Sequence, residues 1–157
     1  MKKNSKTKTE SDIYNVLKND HREVKALLKE IEALEESTKR DGLFEKLKAN
    51  LLAHSHAEDE VFYEPLKEKL EDDVYLVFEA KEEHKLVEQL LNELSESLED
   101  DVWCAKFKVL KEMVEHHIEE EEEDLFKKAK KVISPEESEQ MAQEMLEKEK
   151  AELDEAA

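Results

Sequence analysis

The sequence predicts an all-α protein, an up-down-up-down four-helix bundle with a short additional C-terminal helix. Its 157 residues include one glycine and two prolines, whereas 44% of them are charged and 38% hydrophobic. Sheets need glycine, asparagine or proline at their turns, so a chain with so few breakers favours long helices. The apolar residues recur at helical spacing, which also argues against a disordered acidic chain.

The first helix is expected to begin near Ser11 or Asp12, because either side chain can cap the free amides of a first helical turn. Residues 1–10 carry four lysines and no apolar stretch, and we expect them to form a disordered basic tail. The apolar stripe of this helix consists of Ile13, Leu17, Val24, Leu27, Leu28, Ile31 and Leu34.

The second and third helices are bounded by breaker and capping residues. The stretch from Lys39 to Gly42 holds the only glycine and predicts a turn, after which an apolar stripe starts at Phe44. Pro65 is expected to kink or end the second helix. Asp72 and Asp73 then offer a cap for the third helix.

The fourth helix is expected to open at Asp100 and Asp101 and to stop before Ser134. Ser134 followed by Pro135 is typical of an N-cap with proline at the first helical position, and it predicts a fifth helix. The predicted organisation is therefore a bundle over residues 11–133 and a C-terminal helix over residues 134–157.

An internal repeat with an offset of 63 residues superimposes the first two helices on the second two. The matched residues at this offset are His21 with His84, Val24 with Val87, Leu28 with Leu91, Phe44 with Phe107, Leu47 with Leu110, His54 with His117, and Glu58 with Glu121. The chain is thus expected to contain two copies of one helical hairpin, each with one histidine followed by a His-x-x-x-Glu pair.

The repeated polar residues fall on the apolar side of their helices. His54 and Glu58 are separated by about 40° and about 6 Å of rise, so both project from the face that carries Leu47 and Leu51. A carboxylate buried there without a partner costs several kcal/mol, and cations would remove that penalty. Imidazole with carboxylate suits iron, and two carboxylates between two hairpins can bridge two metals.

The spacing predicts the following metal ligands: His21, His54, Glu58, His84, His117 and Glu121. One metal would take His21 and His54, and the other His84 and His117, with both glutamates bridging. A hydrogen-bonded structural role is the usual reading of a lone core histidine, but the repetition of the whole set favours a metal site.

Three further residues leave alternatives open. His56 lies on the far face from His54 and is expected to be solvated. His116 forms a second pair with Glu120, yet its helical neighbours are polar, so we favour His117 with Glu121. Tyr63 is expected to pack at the end of the site, with a hydrogen-bonding or redox role as the lesser alternative.

The pattern His, His-x-x-x-Glu, His, His-x-x-x-Glu, with HSHAEDEVFYEPL and HHIEEEEEDLF around its two pairs, resembles the hemerythrin-like HHE cation-binding domain family over residues 11 to 131. The resemblance implies a four-helix bundle with two iron ions in an oxo- and carboxylate-bridged non-haem centre, held by the six residues above. Respiratory hemerythrins carry another histidine where this chain has Ala80, so the resemblance is closer to the bacterial stress-related branch. Glu83 or a water is the alternative ligand at that position, although Glu83 lies about 100° around the helix from His84 and is not favoured.

The resemblance implies a protein that binds or reacts with dioxygen or a related small oxidant, in oxygen binding, oxygen sensing or an oxidative-stress response. The alternatives are a di-iron enzyme that decomposes peroxide or nitric oxide, and an iron-handling or structural metal-binding protein. The sequence leaves open whether the protein is an enzyme. It also leaves the native metal open, and zinc in the same cage would perform no redox chemistry.

Composition limits the remaining partners. The net charge of −19 repels nucleic acid and anionic membranes, and the longest apolar stretch, Val74 to Phe78, is far shorter than the roughly 20 residues of a membrane span. Cys104 is the only cysteine, so no intramolecular disulfide can form and a cytoplasmic location is expected. The oligomeric state is open, with a monomer as the starting assumption.

Overall fold

The computed structural model describes residues 12–35 and 37–156, which form helices joined by short turns. The expected tail over residues 1–10 lies outside the described residues. In chain order the elements are α1 (Ile13–Ala33), α2 (Ser37–Glu58), a π turn (Asp59–Tyr63), α3 (Glu64–Leu70), α4 (Tyr75–Leu94), α5 (Asp100–Glu120), a second π turn (Glu121–Leu125), α6 (Phe126–Val132) and α7 (Pro135–Ala156). The all-α bundle with a C-terminal helix is confirmed.

Two predicted helix starts are confirmed by their caps. Asp12 precedes α1, and its Oδ1 accepts a hydrogen bond from the backbone N–H of Asn15 at 3.1 Å. Ser134 precedes α7: its Oγ accepts from the N–H of Glu137 at 3.1 Å, while Glu137 Oε1 accepts from the N–H of Ser134 at 3.0 Å. This reciprocal pair satisfies donors that the first turn of a helix leaves free.

The predicted turn from Lys39 to Gly42 is wrong, because α2 already begins at Ser37 and runs through it. A Cβ at Gly42 would meet nothing within 4 Å, so the glycine lies on an open face of the helix. A single exposed glycine costs a helix about 1 kcal/mol, which tertiary packing can offset. Phe44 and Leu47 supply such packing one turn further on, where both are buried.

Two other expected boundaries differ from the structure. Pro65 does not end the helical segment, which continues to Leu70, because it lies in the first turn of α3, where an N–H is dispensable. Asp72 and Asp73 do not cap the third bundle helix: α4 begins at Tyr75 after Val74, without a side-chain cap. Asp73 instead forms an ion pair with Lys128 at 2.5 Å.

The hydrophobic core consists of two clusters. One contains Phe62, Phe126 and Met145 and joins the ends of the hairpins to α7. The other contains Leu28, Leu47 and Leu110 and fills the opposite half of the bundle. The six repeated histidines and glutamates belong to neither cluster, although all of them are buried. They therefore place a charged patch in a mostly apolar interior, in which Ser55 and Ser138 are also buried.

The C-terminal helix α7 has 22 residues and lies within the range predicted for it, so it is as long as the bundle helices. It packs against α1 and α2, and Met141, Ala142 and Met145 join the core on that side. Ser138 Oγ also accepts a hydrogen bond from the buried N–H of Ile13 at 3.1 Å. The first hairpin is thus covered by α7. Across the described residues, no helix combines the length and apolar character needed to cross a membrane.

Candidate metal centre

The structure brings the six repeated residues together as two adjoining groups. In each group one possible ligand atom per residue lies within 4.8 Å of the others. The first group is His21, His54, Glu58 and Glu121, and the second is Glu58, His84 and His117. The division of the histidines matches the predicted one, and Glu58 belongs to both groups.

Several inward-facing atoms of this cluster lack hydrogen-bond partners. They are His21 Nε2, His54 Nε2, both carboxylate oxygens of Glu58, and Glu121 Oε1. His21 Nε2 lies 3.1 Å from Glu121 Oε1, and His54 Nε2 lies 3.2 Å from Glu58 Oε1, without hydrogen-bond geometry. Buried polar atoms normally have a partner, so this convergence of unpaired lone pairs fits a metal cation.

The outer nitrogen of every cluster histidine is hydrogen-bonded to a carboxylate. The Nδ1 atoms pair with these oxygens: His21 with Glu122 at 2.6 Å, His54 with Asp20 at 2.8 Å, His84 with Asp59 at 3.0 Å, and His117 with Glu83 at 2.7 Å. A proton on Nδ1 leaves the Nε2 lone pair free for a metal, and the carboxylate fixes the ring orientation. The four rings are therefore held as metal ligands require.

These four carboxylates follow the internal repeat, but their role as partners of the Nδ1 atoms was not predicted from the sequence, where Glu83 was considered only as an alternative ligand. At the offset of 63, Asp20 corresponds to Glu83, and Asp59 corresponds to Glu122. The first pair directly precedes the single histidines, and the second directly follows the glutamates of the His-x-x-x-Glu pairs. Their recurrence was the available signal, although a chain this rich in acidic residues makes it easy to overlook.

The charges of the cluster oppose the effect of burial. Burial alone would lower the pKa of His84, but hydrogen bonding to Asp59 and the nearby Glu58 raise it to about 9. Burial alone would raise the pKa of Glu58, yet the adjacent charge of His54 holds it well below its usual range. Without metal, the cluster is thus stabilised by attraction between protonated histidines and ionised carboxylates. A bound cation would take the place of the histidine charges beside those carboxylates.

Tyr63 makes a polar contact that the sequence analysis did not favour. Its side chain is fully buried, its hydroxyl donates to Glu121 Oε2, and the hydroxyl oxygen lies 3.3 Å from His117 Nε2. Burial and the charge of Glu121 raise the pKa of Tyr63 well above 10, so the hydroxyl keeps its proton. The expectation of packing alone is therefore wrong, and Tyr63 places a proton donor at the cluster.

The two remaining histidines lie outside the cluster. The side chain of His117 is 8% exposed and that of His116 is 66% exposed, which agrees with the preferred assignment. His56 is also exposed, as expected, and its two ring nitrogens contact Glu88 and Glu152.

The outer side of the first hairpin carries one more acidic group from α7. Glu149 Oε2 lies 4.0 Å from His54 Nδ1. Burial and a hydrogen bond with Asp20 raise the pKa of Glu149 to about 9, which favours its protonated form beside Asp20.

Fold and site together define a class of protein, a helical bundle with a buried histidine and carboxylate site for metal cations. The sequence model of the Hemerythrin HHE cation binding domain matches residues 12–129. The chain therefore belongs to the hemerythrin HHE cation-binding domain family, and it is a metal-binding helical protein.

The chain is similar to two known proteins, one by structure and one by sequence. A hemerythrin HHE cation binding domain-containing protein from Mycobacterium kansasii has a solved structure that resembles this one with a TM-score of 0.80 and 27% identity, over 92% of this chain and 89% of that chain. A protein named DNA nickase from Nostoc sp. is 27% identical over 138 residues, which are 87% of this chain and 39% of the relative. The chain thus spans well under half of the length of that relative.

Proposed function

We propose that the protein is a non-haem di-iron protein that binds or reacts with dioxygen or a related small oxidant. The observation that supports this most is the convergence of unpaired, buried atoms from both hairpins: two imidazole nitrogens and three carboxylate oxygens. Histidine with carboxylate is a donor set that suits iron. Two irons there would supply electrons and open coordination positions for a small oxidant.

The protein's own residues have separate parts in this proposal. His21 and His54 would hold one metal, His84 and His117 would hold the other, and the glutamates would supply the carboxylate ligands, Glu58 to both groups and Glu121 to the first. The Nδ1 hydrogen bonds to the outer carboxylates keep the rings oriented before metal arrives, so less ordering is needed on binding. The two apolar clusters on either side limit access of water to the centre.

Tyr63 supports a second candidate, an enzyme that decomposes peroxide or nitric oxide. Reduction of peroxide to water, or of two nitric oxide molecules to nitrous oxide and water, takes two electrons and two protons. An external reductant would renew the electrons, and the Tyr63 hydroxyl holds a proton against Glu121 inside the cluster. A carrier that binds oxygen reversibly has no net use for that proton.

The experiment that separates these candidates begins with iron-loaded, aerobically purified protein. Its ultraviolet-visible spectrum is recorded, then recorded again after anaerobic reduction and after re-exposure to air. Reversible binding is supported if re-exposure to air first gives a distinct oxygenated spectrum that disappears when oxygen is removed, before the near-ultraviolet bands return. Direct return to the oxidised spectrum rules out reversible binding. If the spectrum does not respond to reduction and air, the proposal of a redox-active iron centre is wrong.

Turnover is tested separately with peroxide and with nitric oxide, each in the presence of excess chemical reductant. The enzyme is favoured if the protein consumes far more oxidant than the iron it contains. This turnover should be lost in Tyr63→Phe but retained in Tyr75→Phe. Tyr75 is a suitable control because it is 71% exposed and changes by the same single hydroxyl. Consumption that stops at the amount of iron present would exclude the enzyme.

A further inference from the structure

The two hairpins differ in what covers their outer grooves. On the first hairpin, Val16 and Ala57 are buried in one cluster with Met141 and Met145 of α7. The repeat places Glu79 and Glu120 at the equivalent positions of the second hairpin, and it places His116 where the first hairpin has the buried Ala53. The apolar surface against which α7 packs is therefore replaced, on the second hairpin, by side chains that are charged or able to bind a metal.

These side chains form a compact group at the surface. His116 Nε2 lies 2.8 Å from Glu120 Oε2 and 3.9 Å from Glu83 Oε2. Glu83, His116 and Glu120 each offer an atom within 4.8 Å of the others, and Glu79 lies against Glu120. One imidazole with three carboxylates is a donor set for a divalent first-row metal.

A small cavity connects this group with the buried centre. Its lining includes the partly buried Glu79, Glu83 and Glu120 and the buried Ala80, His117 and Glu121. Glu121 is 2% exposed, and its Oε1 has no hydrogen-bond partner. The cavity offers about 10 Å³ to the centre of a water-sized sphere, which is space for about one water or one bare cation.

Glu83 faces both sites at once. Its Oε1 accepts the hydrogen bond from Nδ1 of the buried His117 at 2.7 Å, while its Oε2 faces the exposed His116. A single carboxylate therefore separates the surface group from a histidine of the centre. On the first hairpin, the equivalent groove is covered by α7.

We propose that Glu79, Glu83, His116 and Glu120 form an outer site for a divalent cation, through which metal reaches the buried centre. The entry role rests on the proposed function, because it requires the centre to hold metal. Binding at the outer site does not. The cation is held briefly at the surface and then passes through the cavity beside Ala80.

The binding part is tested with Mn²⁺ by electron paramagnetic resonance, which measures free Mn²⁺ during titration of the metal-free full-length chain. The outer-site variant is Glu79→Gln with His116→Asn and Glu120→Gln, and it leaves Glu83 in place because Glu83 orients His117. Its control is Glu30→Gln with Glu45→Gln, which removes two exposed carboxylates elsewhere. Circular dichroism confirms that each variant is folded.

The number of bound ions separates the outcomes. Three Mn²⁺ per chain in the wild type and the control, but two in the outer-site variant, support both the outer site and the buried pair. One in the wild type and none in the variant support the outer site and contradict the proposed function. Equal numbers in the wild type and the outer-site variant overturn the outer site.

The entry part is tested by the rate at which Co²⁺ fills the centre, followed by its visible absorption in stopped flow. The outer-site variant is expected to load at least about tenfold more slowly, because local charge concentrates and steers cations. Its final absorbance stays at the wild-type value, and the control loads at the wild-type rate. Equal loading rates in the variant and the control would contradict entry by this route.

Discussion

Asp20 accepts a hydrogen bond from Nδ1 of His54 at 2.8 Å, and the residue 63 positions later, Glu83, does the same for His117 at 2.7 Å. Each carboxylate stands directly before the single histidine of its own repeat and orients the histidine of the neighbouring helix. The repeated unit therefore contains the carboxylates that orient the histidine rings as well as the proposed metal ligands.

The Asp20 contact predicts a loss of metal affinity when it is removed. Asp20→Ala is expected to weaken metal binding by about 10- to 100-fold, because the ring of His54 loses its fixed orientation and its outer acceptor. Asp20→Asn keeps an acceptor oxygen and should recover part of the loss. Competition with a chelator measures both variants, and Glu23→Ala serves as an exposed control on the same helix. Unchanged affinity in Asp20→Ala would show that the contact does not support the centre.

Neighbouring histidines give a direct test of the ligand assignment. His117→Ala is expected to lower the metal retained per chain after desalting, because its ring faces the centre. His116→Ala should retain the wild-type amount, because its side chain is 66% exposed and an ion held only at the surface is removed by desalting. Elemental analysis of the two variants measures this difference. The reverse result would assign the site to His116 and Glu120.

Tyr63→Phe tests the hydrogen bond to Glu121 in the metal-free protein. The substitution leaves a buried carboxylate oxygen without its hydroxyl donor, so the free energy of unfolding is expected to fall by about 1–3 kcal/mol. Tyr75→Phe, at an exposed position, should change it by less than about 0.5 kcal/mol. Urea denaturation monitored by circular dichroism measures both. Equal stability of the two variants would mean that the Tyr63 hydroxyl contributes nothing.

The cap of α7 gives a prediction about stability and pH. Ser134→Ala should lower the free energy of unfolding by about 1 kcal/mol, because the N–H of Glu137 loses its acceptor. Lys69 and the contacts with Ser134 lower the pKa of Glu137 to about 2. A depressed pKa stabilises the fold above the usual value of 4.5, and this contribution is lost as the pH falls through about 2. Denaturation at pH 7 and pH 2 should show that Glu137→Gln destabilises the protein only at the higher pH.

Much of this structure follows from residues with local consequences. The caps at Asp12 and Ser134 and the inward face of His54 and Glu58 were predictable, because cap chemistry and helical spacing act over a few residues. The offset of 63 then placed the second set of ligands. The predicted turn at Gly42 was wrong because its outcome is not decided locally. Packing of Phe44 and Leu47 against other helices decides whether one glycine is tolerated there.

Tyr63 shows why part of the site was beyond such reasoning. In a regular α-helix, Tyr63 would lie about 140° around the axis from Glu58 and would not share its face. The π turn over Asp59–Tyr63 closes its hydrogen bonds five residues back instead of four, which rotates Tyr63 toward the centre. The second hairpin has its own π turn at Glu121–Leu125, without a proline nearby, so Pro65 is not required for this feature.

The central claim is that two metal ions lie between the hairpins, and a crystal structure of iron-loaded protein with anomalous data at the iron edge tests it most directly. The account predicts two strong anomalous peaks. One lies among His21, His54, Glu58 and Glu121, and the other lies among Glu58, His84 and His117. Absence of both peaks in crystals that contain iron, or iron bound only at the surface, would contradict the assignment of the buried cluster as the metal centre.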